Sequence, residues 1–111
     1  MVAQQWFDGG QQLNQLENKV ALITGAGSGM GQTHAKVFAE RGAVVVINDL
    51  NGDGLKETAK IVGEAGGQAV EYVGDITNPE FVSGMVDDAC GQAGQINVLV
   101  NLYHSGQMTR A

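Results

Sequence analysis

The stretch Val20 to Gly31 reads Val-Ala-Leu-Ile-Thr-Gly-Ala-Gly-Ser-Gly-Met-Gly, and the fold turns on it. A short apolar run comes first, then glycines at 25, 27, 29 and 31, then a helix-like segment. That order predicts a strand, a tight turn and a helix. Glycine reaches positive φ without strain, and it has no Cβ to keep an anionic group from the amides that open a helix. Taken alone, the pattern is either a phosphate cradle or a plain tight turn.

The surrounding chain supplies the context. From Lys19 onward, apolar runs alternate with segments of helical period, the sequence form of successive βαβ units on a parallel sheet. The runs are Val20 to Thr24, Val44 to Asn48, Val70 to Val73 and Ile96 to Asn101. Three are nearly unbroken in Val, Ile and Leu, as in strands covered on both faces; Glu71 interrupts the Val70 run and suits it to a sheet edge. Three helices are expected between them. In the first, Met30, Thr33, His34, Val37 and Phe38 recur at helical spacing as a core face, with Gly42 as the stop. His34 reads as a packed histidine in that stripe, because no second ligand-type residue lies at helical spacing from it. The second helix carries Leu55, Ala59 and Val62 and ends at Gly66-Gly67. The third presents Val82, Met85, Val86 and Ala89. It starts either with a Thr77/Glu80 capping box or with Asn78 as the cap and Pro79 at the first helical position. Met30 and Met85 are expected as core fillers.

Composition narrows the possible functions. A chain of 111 residues makes one domain with a modest core, able to remove roughly two-thirds of its unfolded surface from water. Lys and Arg number 6 against 12 Asp and Glu, a net charge of −6 without a basic cluster. Nucleic acid is therefore not an expected partner, and any bound anion must be held by local dipoles. Cys90 is the only cysteine, which excludes an internal disulfide and a cysteine metal cluster; no metal site is expected. With no basic neighbour, Cys90 reads as a small apolar residue near a helix end. No apolar run approaches the ~20 residues that span a bilayer. The N-terminus is rich in glutamine (Gln4, Gln5, Gln11, Gln12, Gln15) where a signal peptide would be apolar. A cytoplasmic chain with no membrane association is expected. Residues 1–18, which include Gly9-Gly10, are expected to be a polar flexible extension that Trp6 and Phe7 can pin onto apolar surface.

One spacing favours a nucleotide. Asp49 follows the second run, 18 positions beyond Gly31, near the ~20-residue offset at which a carboxylate meets the ribose of a dinucleotide. In a βαβ unit the ends of the first two strands are neighbours, so this carboxylate lies beside a nucleotide whose pyrophosphate sits on the first helix. The other reading of Asp49, which would gain weight without the glycines, is a cap or turn residue ahead of Asn51-Gly52-Asp53-Gly54. A carboxylate here repels a 2′-phosphate, and Ser28 and Leu50, which could attract one if basic, are uncharged; NAD is expected over NADP. After the third run, Asp75 can accept from an adenine amino group or serve as a loop or capping aspartate.

Four motifs in register now resemble the short-chain dehydrogenase/reductase superfamily: Thr24-Gly25-x-x-x-Gly29-x-Gly31, Asp49, Asp75-Ile76, and Asn97-Val98-Leu99-Val100-Asn101. The resemblance runs from Leu16 to Asn101. It implies a Rossmann-like α/β fold with four parallel strands in the order 3-2-1-4 and three helices, half of a doubly wound sheet. It also implies a cofactor site: Gly25, Ser28, Gly29 and Met30 at the pyrophosphate and nearby ribose, Asp49 with Leu50 at the adenosine ribose, Asp75 and Ile76 at the adenine, and Asn101 at the sheet end.

The pattern breaks after Asn101. The family continues Asn-Asn-Ala-Gly, whereas this chain reads Asn101-Leu102-Tyr103-His104. The family's catalytic serine and Tyr-x-x-x-Lys pair belong to later elements that these 111 residues do not include. Tyr103 is followed four positions on by Gln107, so no lysine lowers a phenol pKa of ~10 toward neutrality. No catalytic residue is assigned. The expected divisions are an extension at 1–18, a dinucleotide-binding half at 19–101 and an irregular tail at 102–111. The expected function is the NAD-binding half of an oxidoreductase, truncated and catalytically incomplete alone. Two alternatives stand beside it: an NAD(H)-dependent alcohol or ketone oxidoreductase completed by a second chain, and a non-enzymatic nucleotide-binding or interaction module. In the order 3-2-1-4 the Ile96 to Asn101 strand is an open edge, where self-association or a partner chain is expected.

Overall fold

Strand and helix alternate without exception through residues 15–102, the residues that the computed structural model describes. The order is β1 (Val20–Thr24), α1 (Gly29–Glu40), β2 (Val44–Asp49), α2 (Gly52–Glu64), β3 (Gln68–Val73), α3 (Pro79–Ala93) and β4 (Val98–Asn101). Trp6 and Phe7, most of the expected extension, and Tyr103, His104 and the rest of the tail lie outside the described residues. The four strands form one parallel sheet in the order β3-β2-β1-β4. Val20 pairs with Val44, Val44 with Gln68, and Thr24 with both Asn48 and Asn101. This is the expected half of a doubly wound sheet. Its strand order reverses between β1 and β4, the place where such sheets open a crevice beyond their carboxyl ends.

Each face of the sheet has its own apolar cluster. Ile23, Val45 and Ile47 pack under Ala35 and Ala39 of α1 and under Leu55 and Val62 of α2. On the opposite face Val20, Leu22 and Val46 pack with Met85 and Ala89 of α3. The central strands are buried on both faces, which explains their unbroken apolar runs. β3 alternates between exposed and half-buried residues at one edge, as Glu71 forecast, and β4 forms the other edge with Leu99 64 % exposed.

Three strand boundaries differ from expectation, and of these β2 merely runs one residue further, to Asp49. β3 starts at Gln68 because Gln68 and Ala69 pair with Val44 and Val45, a polar start that an apolar run does not reveal. β4 starts at Val98, because the Asn97 side-chain oxygen, rather than a ladder carbonyl, accepts from the Val20 amide at 2.9 Å.

The first helix corrects a larger expectation. Its buried residues are Gly31, Ala35 and Ala39, and Met30 is 64 % exposed instead of filling the core. Thr33 is exposed, while His34, Val37 and Phe38 are half-buried on the flank. α1 lies so close to its neighbours that only small side chains fit beneath it. A Cβ at Gly31 would meet the Gly25 carbonyl oxygen at 2.3 Å, and one at Gly67 would meet the Ala39 Cβ at 2.6 Å. The Met-Val-Phe stripe is periodic too, but it is too bulky for that approach.

The other helices follow their sequence signals. Asn78 caps α3, its Oδ1 accepting from the Glu80 and Phe81 amides, with Pro79 in the first turn. Met85 is buried, as expected. Asn51 caps α2 through the Gly54 amide. Gly42 and Gly66 take positive φ values of 99° and 87° just beyond α1 and α2. Cys90 is exposed on α3. None of the described helices is long and apolar enough to cross a membrane.

One polar tie joins α3 to the edge strand. The Tyr72 hydroxyl donates to Asp88 Oδ2 at 2.5 Å, and Gln92 Nε2 donates to the same oxygen at 2.7 Å. Burial of the phenol, the hydrogen bond to Asp88 and that carboxylate's charge push the Tyr72 pKa up to about 12. The hydrogen bonds from Tyr72 and Gln92 hold the Asp88 carboxyl below the usual carboxylate range. A folded pKa above the unfolded value of ~10 contributes stability that is complete below pH ~10 and is lost as pH rises through 12. In an absorbance titration of tyrosinate with Tyr72→Phe as the reference, Tyr72 is expected to ionise near 12. Asp88→Asn should bring that transition down toward the ordinary value of ~10. An unchanged transition in the variant would contradict the tie.

Candidate functional site

The glycine turn after β1 is held from three sides. Gly25 has a φ of 71° and Gly29 one of 50°, so these two use the left-handed region that only glycine enters freely. Gly27 and Gly31 serve differently, by leaving room. A Cβ at Gly27 would lie 2.8 Å from the Asp49 carboxylate, and one at Gly31 would press on the Gly25 carbonyl. The Ala26 amide donates to the Asn48 carbonyl at 2.9 Å, which ties the turn to β2.

The helix that opens from this turn differs from the other two. Asn51 and Asn78 give side-chain caps to α2 and α3, whose first turns also hold Asp53 and Glu80. At α1 the capping residue Ser28 is extended (φ −161°), its side chain makes no capping bond, and the first turn has no acidic residue. The Ser28 carbonyl accepts from the amides of Gly31 and Gln32, while the amides at the very start of a helix have no partner within it. Ser28, Gly29 and Met30 are all exposed. The partial positive charge of a helix start is thus offered to solvent, the arrangement that receives an anion.

The remaining candidate residues stand along the same carboxyl edge of the sheet. Asp49 ends β2, half-buried; its Oδ2 accepts from the Gly27 amide at 2.7 Å and its Oδ1 from the Asn51 amide at 2.9 Å. The carboxylate therefore belongs to the turn as well as facing it. Leu50 follows, 54 % exposed. Beyond β3, Asp75 Oδ1 accepts from the amide and the hydroxyl of Thr77, the bonds that hold its carboxyl below the ordinary range. Thr77 is thus used on Asp75 and not in a capping box. Ile76 is half-buried beside it. At the end of β4, Asn101 Oδ1 accepts from the Thr24 hydroxyl at 2.7 Å, which fixes it next to the start of the turn.

The match to a family model, that of the short chain dehydrogenases, covers residues 19–102. The chain belongs to the short chain dehydrogenase family. It is 43 % identical over 86 residues to a (2S)-[(R)-hydroxy(phenyl)methyl]succinyl-CoA dehydrogenase subunit of Thauera aromatica, covering 78 % of this chain and 35 % of that protein. Among solved structures, a short-chain dehydrogenase/reductase from Burkholderia xenovorans superposes with a TM-score of 0.79 at 34 % identity, over 83 % of this chain and 38 % of that one. A xylitol dehydrogenase solved with NAD+ bound gives 0.72 at 35 % identity, over 77 % and 33 %. This short chain dehydrogenase sequence thus spans about a third of the length of the relatives it matches.

Several residues that position the dehydrogenase turn carry no obvious sequence signal. Thr58, fully buried in α2, donates its hydroxyl to the Ala26 carbonyl at 2.6 Å and lies 3.0 Å from the Gly54 carbonyl. Gln32 Nε2 reaches the carbonyls of Gly27 and Gly54 at 3.3 and 3.4 Å. Gly54 itself permits the contact, because a Cβ there would lie 2.3 Å from the Gly27 oxygen. Asn48, 2 % exposed, donates to the carbonyls of Tyr72 and Gly74 and so ties the ends of β2 and β3 together. Periodicity marks none of these, since each acts through one polar atom or through a missing one.

A pair of substitutions tests the close approach. Gly31→Ala places a methyl against fixed backbone and is expected to destabilise the chain by about 1–3 kcal/mol. Gly84→Ala, in α3 with nothing within 4 Å of the new Cβ, should instead stabilise by about 0.5–1 kcal/mol. Urea unfolding of the two variants checks the contrast; equal effects would show that α1 has room to yield.

Proposed function

We propose that these residues are the NAD-binding half of a short-chain dehydrogenase/reductase-type oxidoreductase. The observation that carries this reading is the α1 start, left without a side-chain cap or acidic residue beside a carboxylate that the glycine turn itself holds in place. In this reading the turn from Gly25 through Ser28 and Gly29 to Met30 receives the pyrophosphate and nearby ribose, with the opening amides of α1 supplying the donors. Asp49 accepts from the adenosine ribose hydroxyls, with Leu50 alongside. Asp75 and Ile76 receive the adenine, and Asn101 stands where the sheet end meets the cofactor. The residues present fit the group, because the uncapped helix start would meet an anion and Asp49, fixed by two amides, would meet a diol. The bound nicotinamide would accept or give a hydride.

Asp49 also argues for NAD over NADP. A 2′-phosphate would approach a carboxylate already held by two amides, and neither Ser28 nor Leu50 offers a compensating charge. The acid–base residues of the reaction, and the pocket for its alcohol or ketone, fall on family elements outside these 111 residues; the same chain or a second one supplies them. The β4 edge is the proposed seam, since Leu99 is 64 % exposed and β4 pairs only with β1 among the described residues.

Titration calorimetry with NADH and NADPH tests the reading. NADH is expected to bind at least about tenfold more tightly, or ~1.4 kcal/mol. Asp49→Asn should narrow that preference, and Gly29→Val, strained at a φ of 50°, should weaken both cofactors. Equal affinity in the native chain would refute the preference for NAD, and no binding of either at millimolar concentration would refute the cofactor site.

A further inference from the structure

The outer flank of α1 carries a groove that the cofactor site does not use. It is lined by Leu16, Val37 and Phe38, with Gln15 and Arg41 completing it. The His34 ring stands edge-on to Phe38, with centroids 6.1 Å apart. Residues 15–18 form a turn held against the end of α1. The Leu16 amide donates to the Arg41 carbonyl at 2.7 Å, and Arg41 Nη1 donates to Gln15 Oε1 at 3.2 Å. The first 14 residues of the chain therefore join the fold at the lining of this groove.

We propose that the Trp6-Phe7 segment docks in the groove and pins the N-terminal extension along α1. Three observations support this occupant over another. The N-terminal chain outside the described residues ends one residue before Gln15, and the eight residues from Gln15 back to Phe7 reach up to about 26–29 Å when extended. The stripe from Val37 back to Met30 spans only ~10 Å of helix. Gly9-Gly10 gives the chain a place to turn back between the docked pair and Gln15. Trp6 and Phe7 are also the chain's only two adjacent aromatic residues, and such rings contribute large apolar area at small entropic cost. The docked segment covers the flank that the small-residue seam leaves half-exposed.

Trp6 is the only tryptophan, so its fluorescence in the 111-residue chain reports the contact directly. In the native chain its emission is expected to be blue-shifted, and its quenching by acrylamide several-fold weaker, relative to the chain in guanidinium. Val37→Lys should return both toward the unfolded values while the far-UV circular dichroism stays native. Val37→Ser, a milder change, serves if the lysine variant does not fold. Glu57→Lys, on the exposed surface of α2, should change nothing. Native emission and quenching equal to those in guanidinium would overturn the proposal. So would a shielded Trp6 that neither folded Val37 variant releases, or shielding that disappears on dilution, which would assign the groove to a second copy.

Discussion

The structure depends on one close approach, that of α1 to the turn it grows from. The Gly31 α-carbon sits over the Gly25 carbonyl with no room for a methyl group, and Ala35 and Ala39 continue the same seam onto the sheet. Because the helix lies this close, its first amides open beside the ends of β1 and β2. A larger residue at 31 would lift α1 and carry its opening amides away from Asp49. The seam thus sets packing and electrostatics together. It also leaves the bulkier Met30, Val37 and Phe38 on a flank, where they are available to other contacts.

The turn is rigid because its polar groups are satisfied in several directions. Asn48 accepts on its carbonyl from Ala26, Asp49 on its carboxylate from Gly27, and Thr58 and Gln32 reach the carbonyls of Ala26 and Gly27 from two helices. Buried groups of this kind are costly to leave unpaired, so each bond restrains its neighbours. What is left over is the very first amides of α1, ahead of those of Gly31 and Gln32, which donate to the Ser28 carbonyl. On that asymmetry the proposed cofactor site rests.

Much of this was legible in the sequence, for physical reasons that differ by element. β1 and β2 are buried on both faces, so their composition alone revealed them, and Glu71 marked β3 as an edge. Asn78-Pro79 marked one of two starts open to α3, and the structure uses it. Periodicity misplaces the core face of α1, because it weighs side-chain size and a close helix crossing selects against it; Gly31, Ala35 and Ala39 share the same period but carry little apolar weight. The glycine pattern located the turn without separating its two kinds of glycine, those at positive φ and those making room. Thr58, Gln32 and Gly54 act across long sequence separations through single atoms, and no local pattern shows them.

The central claim is that the α1 start is an anion site coupled to Asp49. Amide chemical shifts during titration with NAD+ test it residue by residue. The amides of Gly25 to Met30 and that of Asp49 should move together and saturate, while those at the capped starts of α2 and α3, Asp53 and Glu80, stay in place. Shifts centred on the capped helices, or none at the glycine turn at saturating cofactor, would contradict the account.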